Sequence, residues 1–136
     1  MRAKFLYTGI RVKDLEASVK FYTTVLGMKV RGRSRLEGTK GTAVDLVTED
    51  GGHPLELNHY DDDSPYFAEY DAGQELDHLA FVVDDLDAAL AEAAVAGYPT
   101  VLRFLESGSP YAYIRDPNGI WIELAKSGGY YSTVQS

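Results

Sequence analysis

Apolar and polar positions repeat along this chain in two matching stretches. Tyr7-Thr-Gly-Ile-Arg-Val-Lys-Asp-Leu-Glu-Ala reads as a short apolar strand running into a helix. His78-Leu-Ala-Phe-Val-Val-Asp-Asp-Leu-Asp-Ala reads the same way. Laid over one another, they share Val12 with Val83, Asp14 with Asp85, Leu15 with Leu86 and Ala17 with Ala88. The shared Asp is a natural N-cap, because its carboxylate can accept from the orphan amides of a first helical turn. In the first helix Leu15, Val19, Tyr22 and Leu26 recur at helical spacing, and Gly27 supplies a left-handed stop. In the second, Leu86, Leu90 and Ala93 form the apolar stripe, and Gly97 ends it.

Three strand-like stretches follow each helix. They are Lys29–Leu36, Thr42–Thr48 and Pro54–His59 in the first half, then Thr100–Phe104, Tyr111–Arg115 and Ile120–Ala125 in the second. Glu49-Asp50-Gly51-Gly52 and Asp116-Pro117-Asn118-Gly119 are the turns before each last strand, the latter with Pro at a favoured corner and Gly at the exit. The pattern predicts an α+β fold, βαβββ twice in one chain, with module 1 at about 4–60 and module 2 at about 76–126. Between them lies an acidic, Tyr-rich loop carrying Asp61-Asp62-Asp63, expected to be a solvated linker.

Composition narrows the function. A chain of 136 residues with 45% hydrophobic positions suits one ordinary domain. It contains no cysteine, which excludes disulfides, thiolate metal sites and cysteine nucleophiles. A net charge of −8 argues against nucleic acid or an anionic membrane as partner. No 18-residue apolar run and no signal-peptide core are present, so a cytoplasmic protein acting on a small molecule is expected.

The repeat also pairs Glu56, in Leu55-Glu56-Leu57, with Glu123, in Ile122-Glu123-Leu124. With a side-chain period of two, each Glu faces away from its aliphatic neighbours, into any cavity the sheet encloses. The first strands add Tyr7 and His78 at equivalent positions. One imidazole and two carboxylates suit a divalent ion such as nickel, zinc, manganese, cobalt or iron. His53 and His59, each three positions from Glu56, fall on the opposite strand face.

These residues stand in motifs that resemble a known family. Tyr7–Val30, Leu55-Glu-Leu57, Leu76-Asp-His-Leu-Ala-Phe81 and Arg115-Asp-Pro-Asn-Gly-Ile-Trp-Ile-Glu-Leu124 are similar to glyoxalase I (lactoylglutathione lyase) of the vicinal oxygen chelate superfamily, the glyoxalase, bleomycin-resistance and extradiol dioxygenase group. The resemblance implies curled mixed sheets with one metal ligand from each of four strand positions. Glu56, His78 and Glu123 occupy three of them. The fourth, His or Gln in the family, is Tyr7 here, and a neutral phenol is a poor ligand for nickel or zinc. Arg11 stands where the family places an arginine for a substrate carboxylate, and Trp121 shares the strand face of Glu123. The implied activity is a metal-dependent lyase or isomerase acting on a 2-oxoaldehyde–thiol hemithioacetal through a metal-held enediolate, with Glu123 or Glu56 moving the proton. The family also implies a homodimer. Two alternatives stay open: a non-catalytic binding protein of the bleomycin-resistance kind, and a ring-cleaving dioxygenase, which usually needs two histidines where this chain offers only His78.

Overall fold

The computed structural model of the chain describes residues 1–2, 4–104 and 110–126. It divides into two compact units, Met1–Asp71 and Ala72–Ser136. The first contains β1 (Thr8–Arg11), α1 (Leu15–Lys20), β2 (Lys29–Leu36), β3 (Gly41–Val47) and β4 (Leu55–Tyr60). The second contains β5 (His78–Val83), α2 (Leu86–Val95), β6 (Leu102–Phe104), β7 (Tyr111–Arg115) and β8 (Trp121–Lys126). Strand order is β1-β4-β3-β2 in one sheet and β5-β8-β7-β6 in the other. Each sheet has one parallel pair, β1 with β4 or β5 with β8, and the rest antiparallel. The repeat legible in the sequence is thus a repeat of topology, and both sheets are mixed.

The two caps are nearly superposable. Asp14 sits at φ −127°, ψ 107° and Asp85 at φ −127°, ψ 104°. Each carboxylate accepts a 3.0 Å hydrogen bond from a backbone N–H three residues on, Ala17 or Ala88. Such a cap contributes about 0.5–2 kcal/mol. The stops match as well: Gly27 has φ 70° and Gly97 φ 99°, a region that a residue with a Cβ rarely enters.

The first helix departs from expectation in its last turns. The α-helix ends at Lys20, and Phe21–Val25 widen into a π-turn. The hydroxyls of Thr23 and Thr24 donate back to the carbonyls of Val19 and Lys20, at 2.7 and 2.5 Å, competing with the helical ladder. The buried face is accordingly Leu15, Ser18, Phe21 and Tyr22, while the expected stripe members Val19 and Leu26 are only half-buried. The second stripe needs no correction, since Leu86, Leu90 and Ala93 are all buried where α2 packs on β7 and β8. Several strand ends shift by one residue, and β6 begins at Leu102 instead of Thr100.

The linker also departs from the picture of a free solvated segment. Asp61 pairs with Arg35 at 2.7 Å and Asp63 with Lys40 at 2.5 Å. Ser64 is buried and its hydroxyl donates to the Thr39 carbonyl. The chain is held along the β2–β3 hairpin because its acidic run meets the hairpin's cations. Among the described residues, no helix is long and apolar enough to cross a membrane.

Candidate functional site

The site begins with the turn before β8. Asp116 Oδ1 accepts from the backbone N–H groups of Asn118 and Ile120, and its Oδ2 from the Asn118 side-chain amide, all at 2.8 Å. That carboxylate fixes the β7–β8 hairpin in the register Arg115 to Trp121 and Tyr113 to Glu123. The parallel neighbour β5 adds His78 beside Trp121 and Ala80 beside Glu123. One face of this sheet therefore carries His78, Trp121, Glu123, Tyr113, Tyr111 and Phe104, while Ile114, Ile122 and Leu124 fill the core on the other.

Glu123 is 3% exposed, so it is not the wet half of an alternating strand. A carboxylate that deep is costly unless it has partners. The His78 Nε2 lies 3.3 Å from Glu123 Oε2, and the Tyr113 hydroxyl reaches the same oxygen at 3.4 Å. Burial, followed by the charge of Glu123, raises the pKa of the Tyr113 phenol above its ordinary value, so the phenol stays a proton donor. The other ring nitrogen of His78, Nδ1, lies 2.5 Å from Asp77 Oδ1. Tyr113 stands edge-on to His78 and to Trp121, with ring centres 6.0 and 5.3 Å away, and the Arg115 guanidinium lies over the Trp121 ring, 4.9 Å from its centre.

The first unit builds the counterpart with different chemistry. Gly9 lies beside Glu56 in the parallel β1–β4 pair, and Asp45 lies opposite Glu56 in the antiparallel β3–β4 pair. Tyr7, 44% exposed, closes this end of the face. A Cβ placed on Gly9 would sit 3.2 Å from Asn58 Nδ2 and 3.9 Å from both Tyr7 Cε2 and Glu56 Oε1, so these three side chains flank one spot. Asp45 faces Arg31 at 3.8 Å. Arg11 projects from the same face as Glu56, but its guanidinium donates to the Tyr66 carbonyl at 3.3 Å and rests 5.6 Å from the Tyr60 ring centre. The arginine expected to await a substrate carboxylate is thus engaged by the linker. His59 bonds the Val12 carbonyl and His53 bonds Thr8, away from Glu56 as expected.

The residues brought together are therefore His78 with Glu123 in one unit, and Tyr7 with Glu56 in the other. Among the described residues, no three His, Asp or Glu side chains gather closely enough to hold an ion. The His78–Glu123 contact suits either a proton donated from Nε2 to the carboxylate or a cation held by both groups, because the imidazole offers a donor or a lone pair there according to its protonation. Two ligand atoms each about 2.1 Å from a tetrahedral ion stand about 3.4 Å apart. The pair fits that separation. Asp77, Tyr113 and Asp45 escaped notice in the sequence, although the Asp-Pro-Asn-Gly turn implies a hairpin pairing that sets Tyr113 opposite Glu123.

Two four-stranded mixed sheets in βαβββ order, each with a mid-strand glutamate, define a fold of two like modules. The family model of the Glyoxalase/Bleomycin resistance protein/Dioxygenase superfamily matches residues 4–124, and the chain belongs to that family. A lactoylglutathione lyase of Haemophilus influenzae is 34% identical over 131 residues, which span 91% of this chain and 93% of that protein. The uncharacterised protein YwbC of Bacillus subtilis is 33% identical over 130 residues, 91% of this chain and 98% of its own. Among solved structures, the trypanothione-dependent glyoxalase I of Leishmania major superposes with a TM-score of 0.78 at 29% identity, covering 98% of this chain and 94% of that one.

Proposed function

We propose that the protein is a metal-dependent lyase or isomerase of the glyoxalase I type, acting on the hemithioacetal of a 2-oxoaldehyde and a thiol. The observation that carries this reading is the buried Glu123 carboxylate facing the His78 Nε2 at 3.3 Å. Relatives named lactoylglutathione lyase support it. His78 and Glu123 would be ligands of one divalent ion (Ni, Zn, Mn, Co or Fe), with Glu56 the candidate ligand of the first unit, and the ion would supply Lewis-acid stabilisation of negative charge developing on substrate oxygen. A glutamate carboxylate takes the proton from the carbon bearing sulfur and returns it to the neighbouring carbon, as base and then acid. Glu56 suits that movement, because no described residue hydrogen-bonds or ion-pairs its carboxylate. Tyr7 acts as a neutral hydroxyl that orients a substrate oxygen, in place of the imidazole or amide ligand of the family. Trp121 and Tyr113 present an apolar wall that excludes water from the reacting carbons. Binding of an anionic thiol substrate would require Arg11 to exchange the Tyr66 carbonyl for the ligand's carboxylate. A homodimer accompanies this reading.

The test is turnover of the methylglyoxal–glutathione hemithioacetal by chelator-treated protein reloaded with nickel, cobalt, manganese or zinc. His78→Ala should abolish tight metal binding and turnover together. A second reading, a ligand-binding protein without catalysis, draws on the continuous ring contacts Phe104–Tyr111–Tyr113–Trp121. If no metal supports turnover and flat aromatic ligands bind the metal-free protein tightly, that second reading replaces the first.

A further inference from the structure

The two halves set different residues opposite their equivalent glutamates. Glu56 faces Asp45 across β3–β4, whereas Glu123 faces Tyr113 across β7–β8. Directly opposed residues of an antiparallel pair have Cβ atoms about 4.5–5.5 Å apart, near enough for one to govern where the other points. In the first half the neighbour is a second anion, tied toward Arg31, and among the described residues no donor reaches the Glu56 carboxylate. In the second half the neighbour is a phenol whose O–H reaches Glu123 Oε2 at 3.4 Å, on the oxygen that also faces His78. The phenol cannot swing freely, since its ring is wedged edge-on between His78 and Trp121, and it also packs against Tyr111.

We infer that Tyr113 is a positioning residue whose hydroxyl fixes the Glu123 carboxylate against His78. The donor holds Oε2 on the side of the imidazole, so the imidazole and the carboxylate hold one geometry before anything binds. A carboxylate so fixed presents one geometry to a ligand, whereas Glu56 stands opposite another anion and, among the described residues, has no donor on its carboxylate. The work assigned to Glu123 rests on the proposed glyoxalase-type reading; the positioning itself does not.

Tyr113→Phe keeps the ring and removes only the hydroxyl, which separates packing from positioning. The first readout is the nitrogen resonances of the His78 imidazole in chelator-treated protein. They should move by several ppm in Tyr113→Phe, because the ring beside His78 is unchanged and only the carboxylate is released. With Ni(II) added, affinity should fall about 10–100-fold, the range for residues that orient a ligand, and kcat should fall more than KM rises. Should Tyr113→Phe not fold, Tyr113→Leu serves instead, since it also removes the hydroxyl while leaving Glu123 in place, and should move the His78 resonances of chelator-treated protein in the same way. His78 resonances identical to wild type, with only a lowered melting temperature, would overturn the inference and leave Tyr113 as packing. Wild-type protein that neither binds Ni(II) nor turns over would sink the glyoxalase reading, while the His78 resonances would still decide the role of Tyr113.

Discussion

Asp116→Ala should be among the most damaging single changes in the second unit, through the loss of one carboxylate's bonds. The side chain is 4% exposed, and three of its acceptor contacts serve the Ile120 and Asn118 amides and the Asn118 side chain. A hydrogen bond to a charged acceptor contributes about 1.5–3 kcal/mol, and an orphaned buried amide costs about 1–3. Water cannot take over readily, because Ile120 is 0% and Asn118 3% exposed. The three bonds share one anion and are not independent, so the expected loss is about 3–5 kcal/mol, less than the simple total. With a urea slope of about 1.5 kcal/mol/M, the unfolding midpoint should drop by roughly 2–3 M. Trp121, the single tryptophan, follows this turn directly, so its fluorescence is the natural probe of both midpoint and local packing. Asp116→Asn, which keeps one acceptor oxygen, should fall between wild type and Ala. A loss below about 1 kcal/mol for Asp116→Ala would refute the claim that this carboxylate organises the hairpin.

Tyr7→His should tighten Ni(II) or Zn(II) binding by at least about tenfold in calorimetry, because it adds an imidazole to the spot shared with Glu56; unchanged affinity would mean that position 7 does not face the ion. Acid should release the linker: Arg35 holds Asp61, and Lys40 holds Asp63, below the ordinary carboxylate value of 3.8. Folded values below unfolded ones give a stabilisation present above that value and lost as pH falls through the folded values, so the melting-temperature gap between wild type and Arg35→Gln should close below about pH 4. Both carboxylates are exposed to solvent, so the gap should also shrink at about 1 M salt, and a gap that survived both treatments would reject the ion-pair account.

Much of this architecture was legible because it is local. Asp14 and Asp85 cap, Gly27 and Gly97 stop, and Leu55-Glu56-Leu57 and Ile122-Glu123-Leu124 alternate. Each of these is a rule about residues within a few positions of one another. The π-turn at Phe21–Val25 was missed because helical spacing does not register the back-bonding of consecutive threonines. The tethered linker was missed because Arg35 and Lys40 lie 20 or more positions from their carboxylate partners.

The sequence by itself determined two βαβββ modules and the strand positions of Glu56, His78 and Glu123, since period, cap and repeat are properties of order along a chain, whereas Tyr7, read as a strand residue, lies one position before β1. It left undetermined what each of those side chains would meet. Tertiary structure decided that Glu123 is buried beneath a phenol and beside an imidazole, while Glu56 stands opposite Asp45. It also decided that Arg11 is held by the linker's Tyr66 carbonyl. The physical reason is that cross-strand register and loop docking join residues distant in sequence. The environment of a carboxylate depends on those neighbours, whatever the identity of the residues beside it along the chain.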